Sequence, residues 1–384
     1  MQAVATREAI DRLQRFAAYV EQDAGNADLL ADAWDAAMEA GDHATAVDYA
    51  VAGERCDPQG RTAWLQRQAN ALLAANRTQE AAAVLKRARA CGMTAVVADH
   101  GLACIALKES DNEKCLAILQ PWMDAQDRAS SGHIDHVQAQ WLRAMHRLQR
   151  LSQAWEWVEA RELRGFGLGA IAAAPASILA IDAHGFDVAR VLADRALAVN
   201  GRAVEALTAR GCVALAEGDD AAARRWLQAA EGSQPMDGRI QSALGLVALH
   251  AGLFAEAQRR FEAAVKALPT HIGSWHGLGW SQLLQGEAAR AADAFRQAVD
   301  LDPNFGESQG AVGLALVLQG QRDEAEPHLR RAHKLDGRNV TASFAQALES
   351  GPLSPEQIRA LAQRLLDRPG FFGEKLSARW VSAP

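Results

Sequence analysis

Small and apolar residues in the second half of the chain return at a fixed distance. Shifted by 34 residues, GESQGAVGLALVLQGQRDEAEPHLRRAHKLDG falls on IGSWHGLGWSQLLQGEAARAADAFRQAVDLDP. Two further shifts bring up GRIQSALGLVALHAGLFAEAQRRFEAAVKALP and VEALTARGCVALAEGDDAAARRWLQAAEGSQP. One glycine ladder runs Gly211, Gly245, Gly279, Gly313, and a second runs Gly218, Gly252, Gly286, Gly320. Alanines recur at Ala223, Ala257, Ala291 and Ala325, each followed four residues later by Leu227, Phe261, Phe295 or Leu329. Another alanine ladder is Ala230, Ala264, Ala298, Ala332. Each copy therefore holds two stretches of helical periodicity, parted by a turn at the second glycine.

The sizes of these residues predict how the helices pack. A glycine or alanine lets two backbones approach closely, and the Leu or Phe fills the layer between copies. One helix pair cannot bury its apolar stripe alone, so the copies must stack. Leu268-Pro269 and Asp302-Pro303 end the second helices, since proline cannot extend them. Trp275, Leu278, Gly279, Ala291, Phe295 and Pro303 resemble the tetratricopeptide repeat, whose pattern is W-x2-L-G, then A-x3-F, then a closing proline. Gln282 stands where that pattern has an aromatic residue. The resemblance implies an all-α fold, an α-solenoid of stacked antiparallel helix pairs with terminal capping helices.

The register loosens upstream. Residues 170–203 keep Ala189, Ala196 and Asn200 but carry Pro175 in the first helix and Gly185 one residue late. Gly41, Ala46 and Pro58 sit where a repeat needs them, whereas Trp34 occupies the place of the first small glycine and should hold its two helices apart. Trp64 and Ala81 belong to another copy, with one extra residue in its turn, and GLACIALKESDNEKCLAILQPW reads as a third. Residues 133–164 are a divergent pair containing Trp141, Trp155 and Trp157. The expected organisation is an N-terminal cap (1–26), degenerate repeats (27–125), the divergent pair and a Gly-rich break (126–169), five repeats (170–339, strict from 204), and a C-terminal cap and tail (340–384). In the last of these, Ser354-Pro355-Glu356-Gln357 is a helix start, and Ile358, Leu361, Leu365 and Leu366 share one side of that helix.

Composition narrows the function. Of 384 residues, 49% are hydrophobic and 23% charged, enough apolar material for a folded array. The net charge of -7 argues against nucleic acid as a partner. That acidity lies at the N-terminal end, where residues 1–58 hold 12 Asp/Glu against 4 Lys/Arg. The first residues have no apolar core of signal-peptide length, and nothing approaches the roughly 18 uninterrupted apolar residues of a membrane helix. Five cysteines (Cys56, Cys91, Cys104, Cys115, Cys212) without a C-x-x-C pair point to free, buried thiols in a reducing cytoplasm. The alanine- and arginine-rich make-up suggests a bacterial source.

Three stretches match chemical motifs. GESQG (306–310) fits the G-x-S-x-G hydrolase elbow around Ser308, but an elbow needs a preceding strand. Ser308 instead falls near the start of a first helix, where the copy before has Ser274, and no His or Asp partner is apparent. Gly165-Phe-Gly167-Leu-Gly169-Ala170 fits a dinucleotide fingerprint but follows the helical run AWEWVEARELR. His133 and His136 could share a helix face, with no third ligand in sight, so neither a metal nor a cofactor is expected.

The resemblance implies that the inner surface, lined by first helices, takes up a protein or peptide. The residue after each first-ladder glycine is rotated about 100° from the core contact. Through five copies that position reads Ile178, Cys212, Leu246, Trp280 and Leu314. Leu249, His250, His276, Leu284 and Leu318 lie on the same side. Arg239 stands alone as a candidate carboxylate holder. These residues predict a non-enzymatic scaffold or adaptor that binds an apolar or amphipathic segment, with Trp280 as anchor. The alternatives are that the ladder packs within the chain, or that the chain is a self-associating subunit whose tail, with Phe371, Phe372 and Trp380, enters the groove of another copy.

Overall fold

The computed structural model describes residues 7–124, 133–163 and 167–349. The chain divides into two compact units, residues 1–172 and 173–384. In the first, α1 (Arg7–Gln22) precedes α2 (Ala27–Glu39), α3 (His43–Cys56), α4 (Arg61–Ala74), α5 (Thr78–Ala90), α6 (Ala95–Lys108), α7 (Asn112–Asp124), α8 (Ile134–Arg147) and α9 (Leu151–Leu163). α10 (Ala170–Asp182) runs across the division. The second unit continues with α11 (Phe186–Val199), α12 (Val204–Ala216), α13 (Asp220–Glu231), α14 (Gly238–His250), α15 (Phe254–Ala267), α16 (Ile272–Leu283), α17 (Ala288–Leu301), α18 (Gly306–Leu318), α19 (Arg322–Leu335) and α20 (Val340–Glu349). No strand occurs among the described residues, so the fold is an all-α solenoid of stacked helix pairs.

Each first helix ends in the same way. The residue after its last turn is left-handed at Gly41, Gly218, Gly252, Gly286 and Gly320, with φ between 72° and 82°. At the equivalent places Asn76, Ser110, Gln149 and His184 adopt φ of 57° to 63°. In all nine turns the next amide donates to a carbonyl five residues back, as Glu287 N does to Gln282 O at 3.0 Å and Arg150 N to Met145 O at 3.0 Å. That bond satisfies a helix-end carbonyl and stops the helix. The turn between α10 and α11 is thus in register after all: His184 takes the left-handed place, and Gly185 only follows it.

The expected size complementarity holds within each strict repeat. A Cβ on Gly279 would lie 2.4 Å from the Phe295 ring, and one on Gly313 would lie 2.3 Å from Leu329. Phe261 and Phe295 are fully buried, as are the alanines at 257, 291 and 325. The pair that contains Trp34 distributes its bulk differently. Sixteen residues on, where strict repeats carry Leu or Phe, its repeat carries Ala50, which is fully buried in the same cluster. Bulk has moved from the second helix to the first.

One polar contact recurs on the first helices. Trp275 Nε1 donates to the Pro269 carbonyl at 2.8 Å, Gln241 Nε2 to Pro235 at 2.7 Å and Gln309 Nε2 to Pro303 at 3.1 Å. The three donors are 34 residues apart, so the motif tryptophan and its glutamine replacements tie the first turn of a helix to the loop before it.

Candidate partner-binding face

The first helices of the second unit stack on one another: α12 touches α14, α14 touches α16, and α18 packs on α20. Their side chains form a polar half and an apolar half. On the polar half, bonds join successive helices at offsets of 32 to 34 residues. Ser274 Oγ donates to Ser242 Oγ at 3.1 Å, and His276 Nε2 lies 2.7 Å from Ser308 Oγ. His271 caps α16 through its Nδ1, which accepts from Ser274 N at 3.2 Å. Glu307 accepts from Asn339 Nδ2 at 3.3 Å and from the Thr341 hydroxyl.

Two sequence expectations change here. Arg239 is not alone: its guanidinium forks onto Asp182 at 2.7 and 3.1 Å, across 57 residues. A partner's terminal carboxylate would have to displace Asp182 to use it. Ser308 does have a histidine partner, His276, but the serine is 0% exposed. The imidazole is packed by Phe295 and Phe305, with ring centroids 5.6 and 5.7 Å away. Loss of hydration pushes its pKa down to about 4, so it is neutral at pH 7.

The apolar half divides the predicted ladder. Leu314 is 1% exposed in the cluster that includes Ala342 and Ala345 of α20, and Ile178 is also buried. Cys212 is likewise interior. Leu246 and Leu249 are half-buried against the Phe261 cluster, and Trp280 stands edge-on to Phe295 at 5.6 Å. Leu284 is 38% and Leu318 51% exposed. His250 is half-buried, its Nδ1 3.0 Å from Asp220 Oδ1.

The family model described as tetratricopeptide repeat matches residues 176–237 and 242–304, within this unit. The chain contains tetratricopeptide repeats. Such repeats form a protein-interaction fold. Among solved structures the repeat protein is similar to MamA, at 22% identity and a TM-score of 0.38, covering 44% of this chain and 97% of that one. It is also similar to YrrB, described as a TPR protein with an unusual peptide-binding site, at 18% identity and a TM-score of 0.39, covering 49% of this chain and 96% of that one. Neither likeness carries a functional argument. A search of curated proteins found no match.

The remaining motifs take structural places in the repeat protein. Before α10 lie Gly167, Leu168 and Gly169, and the amides of Ile171 and Ala172 donate to the Asp135 carboxylate at 2.9 and 2.8 Å. The helix start that a phosphate would need is thereby filled by the chain's own anion. His133 and His136 do gain a third neighbour, His100 of α6. Ring centroids are 5.4 Å apart for His100–His136 and 5.8 Å for His133–His136, and Cys104 Sγ is 3.5 Å from His100 Nε2. Burial, then the other two imidazoles and Arg143, push His100 down to about 4. No group of three or more His, Cys, Asp or Glu among the described residues is arranged to hold a metal ion.

All five cysteines are free; Cys115 and Cys212 are buried, but Cys56 and Cys91 are exposed, contrary to the expectation of interior thiols. No helix among the described residues is long and apolar enough to cross a membrane. The helix start at Ser354 and the aromatic residues Phe371, Phe372 and Trp380 lie outside the described residues.

Proposed function

We propose that the chain is a non-enzymatic, cytoplasmic scaffold whose first-helix face in the second unit takes up an apolar or amphipathic segment of a protein partner. The observation that carries this reading is the set of incompletely covered apolar side chains on α14, α16 and α18. Leu284 and Leu318 are exposed, and Leu246, Leu249 and Trp280 are only half-buried. A single exposed leucine is ordinary, but leucines at matching places of successive repeats give an amphipathic helix spaced anchors. The polar half, from Arg239–Asp182 to Glu307–Thr341, is already hydrogen-bonded within the chain and would border the polar side of such a segment. Catalysis through Ser308 is disfavoured because a fully buried hydroxyl offers no room for a substrate carbonyl.

The test is capture of partners with the full chain and with a Trp280→Ser, Leu318→Ser double variant whose circular dichroism is unchanged. The variant is expected to lose the partners; equal recovery by both proteins defeats the groove. The runner-up, self-association through the aromatic tail, predicts a larger mass by light scattering for the full chain than for a version ending at Arg368. Equal masses per chain reject it.

A further inference from the structure

We propose that the first unit carries a second binding site, in the cleft between α3 and α5, for an acidic peptide segment. The cleft encloses about 490 Å³ and is lined by Glu54 and Arg55 of α3, Arg61 and Gln68 of α4, and Arg87 of α5. Three guanidinium groups thus meet one carboxylate. Glu54 is shared, 3.1 Å from Arg61 Nε and 2.7 Å from Arg87 Nη2, while Arg55 makes no ion pair among the described residues. The nearby Asp57 does not neutralise the excess by pairing: its carboxylate accepts from Gly60 N at 2.8 Å and Trp64 Nε1 at 3.2 Å. A local surplus of positive charge therefore stands out within an end of the chain that is otherwise strongly acidic.

Gln68 supplies the second, independent observation. It lies eight residues before the left-handed turn residue Asn76, a position held in one strict repeat by Arg210 and in the other three by the apolar residues Leu244, Leu278 and Val312. All three pack into the interior. In α4 the same place bears an amide whose Oε1 is shielded from solvent and has no hydrogen-bond donor. A buried acceptor without a donor costs about 1–3 kcal/mol, so the array carries a penalty that a leucine would remove. Local breaks of a repeat's packing rule without a gain in packing are where function is found.

The two observations specify one chemistry. The arginines call for a carboxylate, and Gln68, whose side chain lines the cleft, carries a shielded amide oxygen that still lacks an N–H. A peptide segment bearing an aspartate, a glutamate or its own C-terminus offers both, the carboxylate to Arg55 and Arg61 and a backbone amide to Gln68. Inorganic phosphate at neutral pH offers the charge without that amide.

The test uses the full chain and a fluorescein-labelled hexapeptide of alternating glutamate and glycine, with a glutamine-for-glutamate control, read by anisotropy at about 50 and 200 mM salt. Wild type is expected to bind the acidic peptide, more weakly at higher salt, and to ignore the control. Arg55→Ala, an exposed position with no partner to lose, should weaken binding about tenfold or more with an unchanged circular dichroism spectrum. Gln68→Leu should weaken binding while raising the unfolding midpoint, a combination that a purely structural glutamine would not produce. Absence of binding by wild type, equal binding of the control peptide, or equal affinity in Arg55→Ala overturns the proposal. So does displacement of the peptide by phosphate at equal concentration.

Discussion

His276 offers the sharpest quantitative test of the stacked first helices. Its imidazole is held between Phe295 and Phe305, with Nε2 2.7 Å from the buried Ser308 hydroxyl. Burial lowers its pKa from 6.5 to about 4. The unfolded chain therefore takes up a proton before the folded one as pH falls. The stability associated with the neutral ring is complete above about pH 6.5 and is lost progressively down to about pH 4. At ~1.4 kcal/mol per pH unit the whole interval amounts to roughly 3 kcal/mol, and the part between pH 6.5 and 5 to roughly 2 kcal/mol.

Two measurements check this. Proton–carbon correlation spectra should show a His276 resonance that does not titrate above about pH 5. Urea unfolding should then compare wild type with a His276→Phe, Ser308→Ala double variant, which removes both polar partners together and leaves neither unsatisfied. Between pH 6.5 and 5 wild type is expected to lose about 2 kcal/mol more than the variant. His100, which is also lowered to about 4, is present in both proteins, so its contribution cancels in the comparison. A His276 midpoint near 6.5, or the same acid loss in both proteins, refutes the enclosed imidazole.

Three further outcomes follow from the packing. Phe295→Ala empties the place facing Gly279 and should cost about 3–5 kcal/mol in urea unfolding of the second unit. Gly286→Ala, at φ 82°, should cost about 1–2 kcal/mol, whereas Gln149→Gly, at φ 57°, should stabilise by up to about 1 kcal/mol; a destabilised Gln149→Gly would contradict the left-handed assignment. Gln309→Leu removes the donor to the Pro303 carbonyl and the acceptor facing His328 Nδ1 at 2.8 Å, and should cost about 1–3 kcal/mol by thermal or urea unfolding.

The parts of the fold that depend on one residue per copy were legible. Gly279 opposite Phe295, the left-handed Gly286 and the closing Pro303 each announce themselves because the chemistry admits few substitutes. Where it admits several, legibility fails. Ser110, Gln149 and His184 take the left-handed turn place without glycine, because the five-back hydrogen bond and the packed helix pair offset a strain of about 1 kcal/mol. Trp34 with Ala50 puts the large side chain on the first helix rather than the second. The candidate site was harder still. Asp182 reaches Arg239 over 57 residues, and His276 meets Ser308 over 32, offsets set by the stacking and carried by no repeating letter. The rotation estimate placed Leu284 and Leu318 near the surface, but it could not tell that α20 would come to lie over Leu314.

A repeated sequence also acts as its own control, since each interior place can be compared with the same place in other copies. Polar residues that enter apolar places then fall into two kinds. Ser281, at a first-helix place held by Val247 one repeat earlier, donates to its own Leu278 carbonyl at 2.7 Å. Arg210, at the place of Leu244, lies over the Trp226 ring at 5.6 Å with Nε 3.1 Å from Asp194. Packing within the array accounts for both. Gln282 and Gln68 each keep an amide oxygen without a donor. Gln282 is only 4% exposed, so no partner could reach it, and its penalty is one of stability alone. Gln68 differs in the single respect that matters for binding: its side chain lines an open cleft beside an arginine with no ion pair. Access, rather than polarity or burial, separates a packing defect from a site, and access is a property that the stacking of helices creates and the sequence of one repeat does not contain.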